Sequence, residues 1–379
     1  MVQAAYLHIP FCHHICHYCD FNKVFFENQP VDQYLDAMEQ EMKYTVEKHG
    51  ESRLKSIFVG GGTPTALTVP QLEKFLQIIQ RHLSVEEGGE FTFEANPNEL
   101  TEEKLQLLKD YSVNRLSIGV QTFNDEILKK IGRVHTKREA IKTIERARKV
   151  GFNNLSLDLM YSLPGQTIGD FVQTLKEAFE LNVDHMSAYS LIIEPKTVFY
   201  NLMRKGKLQV PAQEEEAKMY DLLMDEMERH GFHQYEISNF TKPGFASRHN
   251  LTYWNNEEYY GIGAGAHSYT KGIRRANIGP INKYIEAVRK NGSAYLEEHE
   301  VCKAEMMEEE VFLGLRKTAG VSKKIFERKY GVPFNEVFGQ QAQEQMKKGL
   351  LAEDKENIYL TRQGRFLGNE VFQAFIGVI

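Results

Sequence analysis

Cysteine is scarce in this sequence. There are four in 379 residues: three lie between positions 12 and 19, and the fourth, Cys302, is far away. That excludes a disulfide framework. In a reducing compartment such a tight group reads as metal-binding or catalytic, and the cytoplasm is the expected location. A positive surplus is also missing. The net charge is -6, so no global field draws nucleic acid or an acidic membrane. No run approaches the roughly 20 apolar residues of a membrane span. The opening MVQAAYLHIPF has neither the charged start nor the long apolar core of a secretion signal. Tryptophan occurs once, at Trp254. These absences leave a globular chain long enough for one large barrel and an appendage.

Strand-like and helix-like stretches alternate six times. AAYLHI, LKSIFVG, EFTFEA, NRLSIGVQ, NLSLDLMY and DHMSAYSL are each followed by a helical pattern. In VPQLEKFLQIIQRHL, apolar residues recur at 72, 75, 76, 79 and 83, with Pro70 near the helix start. Regular alternation implies a parallel sheet with right-handed crossovers. Six units predict an α/β fold, a partial (β/α)6 TIM-like barrel over residues 1–240, with an open doubly wound sheet as the rival. Residues 241–300 read as a connecting segment. Residues 301–379 read as three helices, a hairpin and a last helix, an α-rich winged-helix-like domain. Its 12 Lys and Arg face 11 Asp and Glu, so the basic surplus for phosphate contacts is missing and a packing or lid role is expected.

Barrel sites lie where the strands end. Here each expected strand end carries something polar or unusual. The first leads into CHHICHYCDF, with Cys12, Cys16 and Cys19. The second ends in Gly60, Gly61, Gly62, Thr63 and Pro64. The third ends at Glu94, the fourth at Gln121, and the fifth carries Asp158 before YSLPGQT. Thiolates favour zinc or an iron–sulfur cluster. Zinc would take the three cysteines and one of His13, His14 or His17, although short zinc hairpins usually pair their ligands across a spacer. Three cysteines within eight residues can instead grip three irons of a cubane cluster, leaving the fourth iron open to a ligand. The triple glycine is no phosphate loop and no dinucleotide fingerprint. It lets backbone approach a ligand closely. A ligand with an amino acid end and a nucleoside end suits this rim. Backbone near Gly61 to Thr63 would hold the ammonium, Glu94 or Asp158 would take ribose hydroxyls or the ammonium, and Arg133 would meet a carboxylate.

YLHIPFC, FVGGGTPT, RLSIGVQTF and LDLMYSLPGQT together resemble the radical S-adenosylmethionine (radical SAM) superfamily, in its coproporphyrinogen dehydrogenase-like branch. With the C-terminal module the resemblance spans nearly the whole chain. It implies a [4Fe-4S] cluster on Cys12, Cys16 and Cys19, with S-adenosylmethionine on the fourth iron and an external reductant. Carried over by position, the cofactor contacts are Tyr6, Tyr18, Gly61, Gly62, Thr63, Glu94, Gln121, Arg133, Asp158 and Ile192.

Within that branch the porphyrinogen dehydrogenases have a further cysteine two residues past the third. This chain has Phe21 there, and it has no long extension before the cluster motif. Both departures are similar to the HemW-type haem chaperones. RHNLTYW, residues 248 to 254, fits the His-Asn-x-x-Tyr-Trp signature of that group. Neutral imidazole is a good haem ligand, and aromatic rings contact a flat macrocycle. His249 is therefore the leading expected axial ligand, flanked by Tyr253 and Trp254, with His267 in EYYGIGAGAHSY as a second candidate. The plainer reading is a loop histidine beside a packed aromatic pair. The resemblance implies that haem is held and handed to recipient haemoproteins, respiratory ones at the membrane. An oxygen-independent coproporphyrinogen III oxidase is the alternative, and a zinc-stabilised structural protein the remote one.

Overall fold

The computed structural model describes residues 2–50 and 53–379. Six parallel strands follow one another in chain order across the sheet: β1 (Ala4–Ile9), β2 (Arg53–Gly61), β3 (Ser84–Ala95), β4 (Arg115–Gln121), β5 (Leu155–Tyr161) and β6 (His185–Ser190). A helix returns the chain between each pair. This is the expected partial barrel. Side chains along the six strands alternate between two faces, apart from register breaks near Lys55 in β2 and Val120 in β4. Leu7, Ile57, Phe93, Ile118, Leu157 and Met186 point outward into one apolar core shared with Phe75, Leu105, Ala140 and Phe171 of the helices. Their neighbours Tyr6, Phe58, Glu94, Ser117, Asp158 and Ser187 face the concave side and line a cavity. A parallel sheet covered on both faces reads as continuous apolar runs. Here the period of two survives because one face is polar. Leu157 is fully buried, and truncating it to Ala would cost about 2–5 kcal/mol through lost burial and the cavity left behind.

Thr101, Thr136, Thr167 and Thr197 each accept an amide of the first helical turn that follows. Each such cap contributes about 1 kcal/mol and fixes where strand becomes helix, hence where the rim lies.

The sheet does not stop at six strands. Residues 241–300, read as a connector, contribute Tyr259–Ile262, which pairs parallel with β1, then the antiparallel strands His267–Thr270, Ile273–Asn277 and Tyr295–Glu300. On the far side, Asn239–Thr241 pairs antiparallel with β6, and His233–Glu236 pairs antiparallel with Asn239–Thr241. Among the described residues the result is one sheet of twelve strands. RHNLTYW is a helix, Arg248–Trp254, and not a loop. Glu90 of β3 explains the difference: its carboxylate accepts the amides of Arg248 and His249 and the Ser247 hydroxyl, which supplies partners and negative charge at the helix N-terminus.

Beyond residue 301 a second core forms around Phe326, Phe334, Phe338 and Phe375. It holds three helices, Lys303–Gly314, Lys323–Tyr330 and Phe334–Lys347, and a small sheet in which Leu351–Glu353 and Asn357–Leu360 form the hairpin. Two short helices close it. Among the described residues no helix is long and apolar enough to cross a membrane.

Candidate functional site

The strand ends bring most of the expected residues to one cavity of about 500 Å³. Cys12, Cys16 and Cys19, with Tyr6, Tyr18, Gly61, Gly62, Thr63, Glu94, Gln121, Arg133, Asp158 and Ile192, all line it. Ile192 is 68% exposed and marks the outer lip. Gln121 ends β4 with φ +67° at a break in the β4–β5 register. A non-glycine residue pays a steric penalty there, and the kink turns the chain at the rim.

The three thiols are free of disulfides. Thr63 donates to the Cys12 sulfur over 3.4 Å and Arg133 to the Cys16 sulfur over 3.4 Å. Arg133 also donates to the Gly119 carbonyl, so it is anchored beside the cysteine loop. Burial pushes the Cys12 thiol up to about 12, with Cys19 and Cys16 adding to the rise and Thr63 opposing it. Burial raises Cys19 as well. Thiols this reluctant to ionise need a strong local cation to become thiolates, and iron is such a cation. Three disulfide-free cysteine sulfurs at the rim of one cavity are a donor set that fits three irons of a cluster. When bound, that cluster supplies the electron that cleaves S-adenosylmethionine.

The glycines make room for the site's own side chains as much as for a ligand. A Cβ on Gly60 would stand 2.8 Å from a Glu94 oxygen. On Gly61 it would stand 2.5 Å from the His8 ring, and on Gly62 2.9 Å from the Cys12 sulfur. The Gly61 amide donates to Glu94 over 3.1 Å. Burial pushes Glu94 up to about 8, and the neighbouring Asp158 adds to the rise. Asp158 is also raised by burial, against the pull of Ser187 and Ser117; Ser117 donates to it over 3.1 Å. Two buried carboxyls facing one cavity are poised to ionise when a cationic, hydroxyl-rich ligand arrives.

Sequence reasoning missed Arg115. It opens β4 with its side chain on the polar face, is 2% exposed, and lines the cavity floor. A charged residue at a strand position that alternation assigns to the interior was the available signal. Its charge opposes the rise of Glu94 and Asp158. Asn22 was also missed. It donates to the Ala264 and Gly279 carbonyls over 2.8 and 3.1 Å, and its own carbonyl meets His8. It thereby ties the cysteine loop to the GIGAGAH stretch.

A second cavity, of about 570 Å³, adjoins the first. Tyr6, Phe21, Gly61, Glu94 and Tyr253 line both. Trp254, Tyr259 and His267 line only the second, and Phe312 and Leu313 of the C-terminal unit complete its wall. The helix Arg248–Trp254 thus stands between the cavities: His249 and Asn250 face the first, Trp254 the second, and Tyr253 both. His249 is deeply buried. Its Nδ1 meets the Ser56 hydroxyl at 3.0 Å and its Nε2 the Tyr253 hydroxyl at 2.8 Å. Burial, then the Arg115 charge, lowers its pKa to about 3, so the ring is neutral. The Arg316 guanidinium lies 4.5 Å from the Trp254 ring centre.

The chain is similar to known proteins along its length. Residues 6–178 match the radical SAM superfamily, and residues 301–367 match the HemN C-terminal domain. The haem chaperone HemW of Bacillus subtilis (strain 168) is 55% identical over 99% of this chain and 100% of its own length. The HemW of Lactococcus lactis subsp. lactis (strain IL1403) is 45% identical over 99% and 97%. Among solved structures, the coproporphyrinogen III oxidase HemN of Escherichia coli superposes with a TM-score of 0.87 over 100% of this chain and 91% of that one. Its identity is 24%, so the likeness is one of fold.

Proposed function

The chain belongs to the haem chaperone HemW family of radical SAM proteins, and we propose that it binds haem and passes it to recipient haemoproteins beside a cluster and S-adenosylmethionine held in the barrel. The carrying observation is the second cavity, which opens directly beside the cofactor cavity and is walled by Trp254, Tyr253 and Tyr259. Its volume falls within the roughly 300–1,000 Å³ of cofactor sites. Its aromatic walls suit a flat apolar ring.

In this reading the site residues divide by cavity. Cys12, Cys16 and Cys19 hold three irons. Gly61, Gly62, Thr63, Glu94, Gln121, Arg133, Asp158 and Ile192 frame S-adenosylmethionine, with Tyr6 and Tyr18 closing the pocket. Tyr253 and Trp254 meet the macrocycle. The protein works in the reducing cytoplasm, where the thiols stay free, draws electrons from an external reductant, and serves respiratory haemoproteins at the membrane. The barrel, residues 1–240, carries the cofactors, residues 241–300 build the haem wall, and residues 301–379 close it.

The shared fold with a coproporphyrinogen oxidase keeps one rival in view. Phe21 stands where the porphyrinogen dehydrogenases carry a further cysteine, and it is 63% exposed at the junction of the cavities. One anaerobic preparation decides between them. It should take up one equivalent of haemin and then lose it to an apo-haemoprotein, with the Soret band moving from donor to acceptor. Conversion of coproporphyrinogen to protoporphyrinogen by the same preparation would favour the oxidase.

A further inference from the structure

We infer that His267, and not His249, is the axial ligand of haem iron, and that Phe21 covers the exposed side of the ring. This rests on the haem-chaperone reading and adds the iron ligand to it.

The two histidines differ in what the fold has already done with them. His249 has spent both ring nitrogens, on Ser56 and on Tyr253. Its ring lies against Phe58, with centroids 5.1 Å apart and planes tilted by 29°. Turning Nε2 to iron would break the bond to Tyr253 and strand a buried hydroxyl. His249 also faces the first cavity, the one lined by Cys12, Cys16 and Cys19. His267 is in the opposite position. It is exposed and makes no side-chain hydrogen bond or ion pair among the described residues. It lines the second cavity with Trp254 and Tyr259. Its nitrogens are the uncommitted imidazole donors of that wall.

A ligand must be held as well as free. The backbone of His267 is fixed from two sides. It pairs with Ala276 in the antiparallel ladder. On the other side, Gly261 approaches so closely that a Cβ there would stand 1.7 Å from the His267 carbonyl oxygen. The preceding turn is fastened by Asn22 to the cysteine loop. The small residues Gly265 and Ala266 before His267 leave space for a ring edge. Phe21 is two residues past Cys19, and its phenyl group faces both cavities while remaining largely exposed. An exposed phenyl group at such a junction gains apolar contact when a macrocycle arrives. A single imidazole at an open rim leaves the sixth iron position free, which suits a cargo that has to leave.

The test is haemin titration of the full chain carrying its cluster, read by the Soret band and by the spin state of the iron. His267→Ala should weaken haemin binding at least tenfold and shift the Soret band, with cluster content unchanged because the side chain supports nothing else. His267→Gly with added imidazole should regain the native spectrum, a rescue that a packing role cannot produce. Phe21→Ala should speed haemin loss without moving the Soret band. If His267→Ala keeps native affinity and spectrum, or if His249→Ala removes the native spectrum while His267→Ala retains it, the assignment is overturned. If the native protein takes up no haemin at one equivalent, the chaperone reading itself fails, and the ligand with it.

Discussion

Glu94→Gln should change how S-adenosylmethionine binding depends on pH. Burial, with the nearby Asp158 charge, pushes the native carboxyl up to about 8. Its folded pKa is raised, so at neutral pH the free site holds a neutral acid. The ammonium or a ribose hydroxyl of S-adenosylmethionine would donate to Glu94, and a carboxylate accepts such a bond more strongly than a neutral acid does. Binding below pH 8 must therefore expel a proton. At pH 7 that ionisation costs about 1.4 kcal/mol, roughly tenfold in affinity, and the cost fades above pH 9. Native affinity should rise about tenfold from pH 7 to pH 9 on this account. The amino group of the ligand titrates in the same range, so the variant supplies the baseline. Glu94→Gln keeps an oxygen for the Gly61 amide but cannot ionise, and it should bind more weakly at pH 9 with a shallower slope. Anaerobic calorimetry at four pH values in two buffers of different ionisation enthalpy measures both the affinity and the protons released. Equal slopes and equal proton release in native and variant proteins would falsify the role given to Glu94.

Cys12→Ala, Cys16→Ala and Cys19→Ala should each abolish assembly of about four irons and four sulfides per chain, whereas Cys302→Ala should not, because Cys302 is exposed and outside the site. Iron and sulfide analysis decides it. Gly62→Ala should also lose the cluster, since its Cβ would press 2.9 Å from the Cys12 sulfur and 2.8 Å from the Pro10 carbonyl carbon; a normal cluster absorbance in that variant contradicts the crowding. Glu41 accepts from Tyr284, Gly263 and Asn277 in the interior, and burial raises it from 4.5 to about 7. With a raised folded pKa, its contribution is present below pH 4.5 and is lost as pH rises to 7. A shift of about 2.5 units corresponds to roughly 3 kcal/mol. The melting-temperature advantage of native protein over Glu41→Gln should fall between pH 5 and pH 8, and an advantage that grows with pH would refute the assignment.

The sequence by itself was enough for the three-cysteine loop, the glycines after the second strand, the six β–α units in order and the porphyrin-related branch. Those features are local: ligand spacing, a period of two within each strand, and caps at helix starts are properties of a few consecutive residues. The tertiary structure decided what depends on residues far apart in the chain. Glu90 makes RHNLTYW a helix by meeting its amides from about 160 residues away. Tyr259–Ile262 became a sheet strand because β1 had an open edge to pair with. Arg115 came to lie under Glu94 and Asp158 only when three strands were brought into register. The two histidines show the same limit most directly. As letters, both His249 and His267 are imidazole candidates, and the RHNLTYW signature puts His249 first. Ser56, 193 residues before it in the chain, occupies one nitrogen of His249, and Tyr253 occupies the other. The turn ahead of His267 and the close approach of Gly261 leave its imidazole free at the cavity wall. Hydrogen-bond partners are allotted by contacts across the sheet, and no local pattern records them.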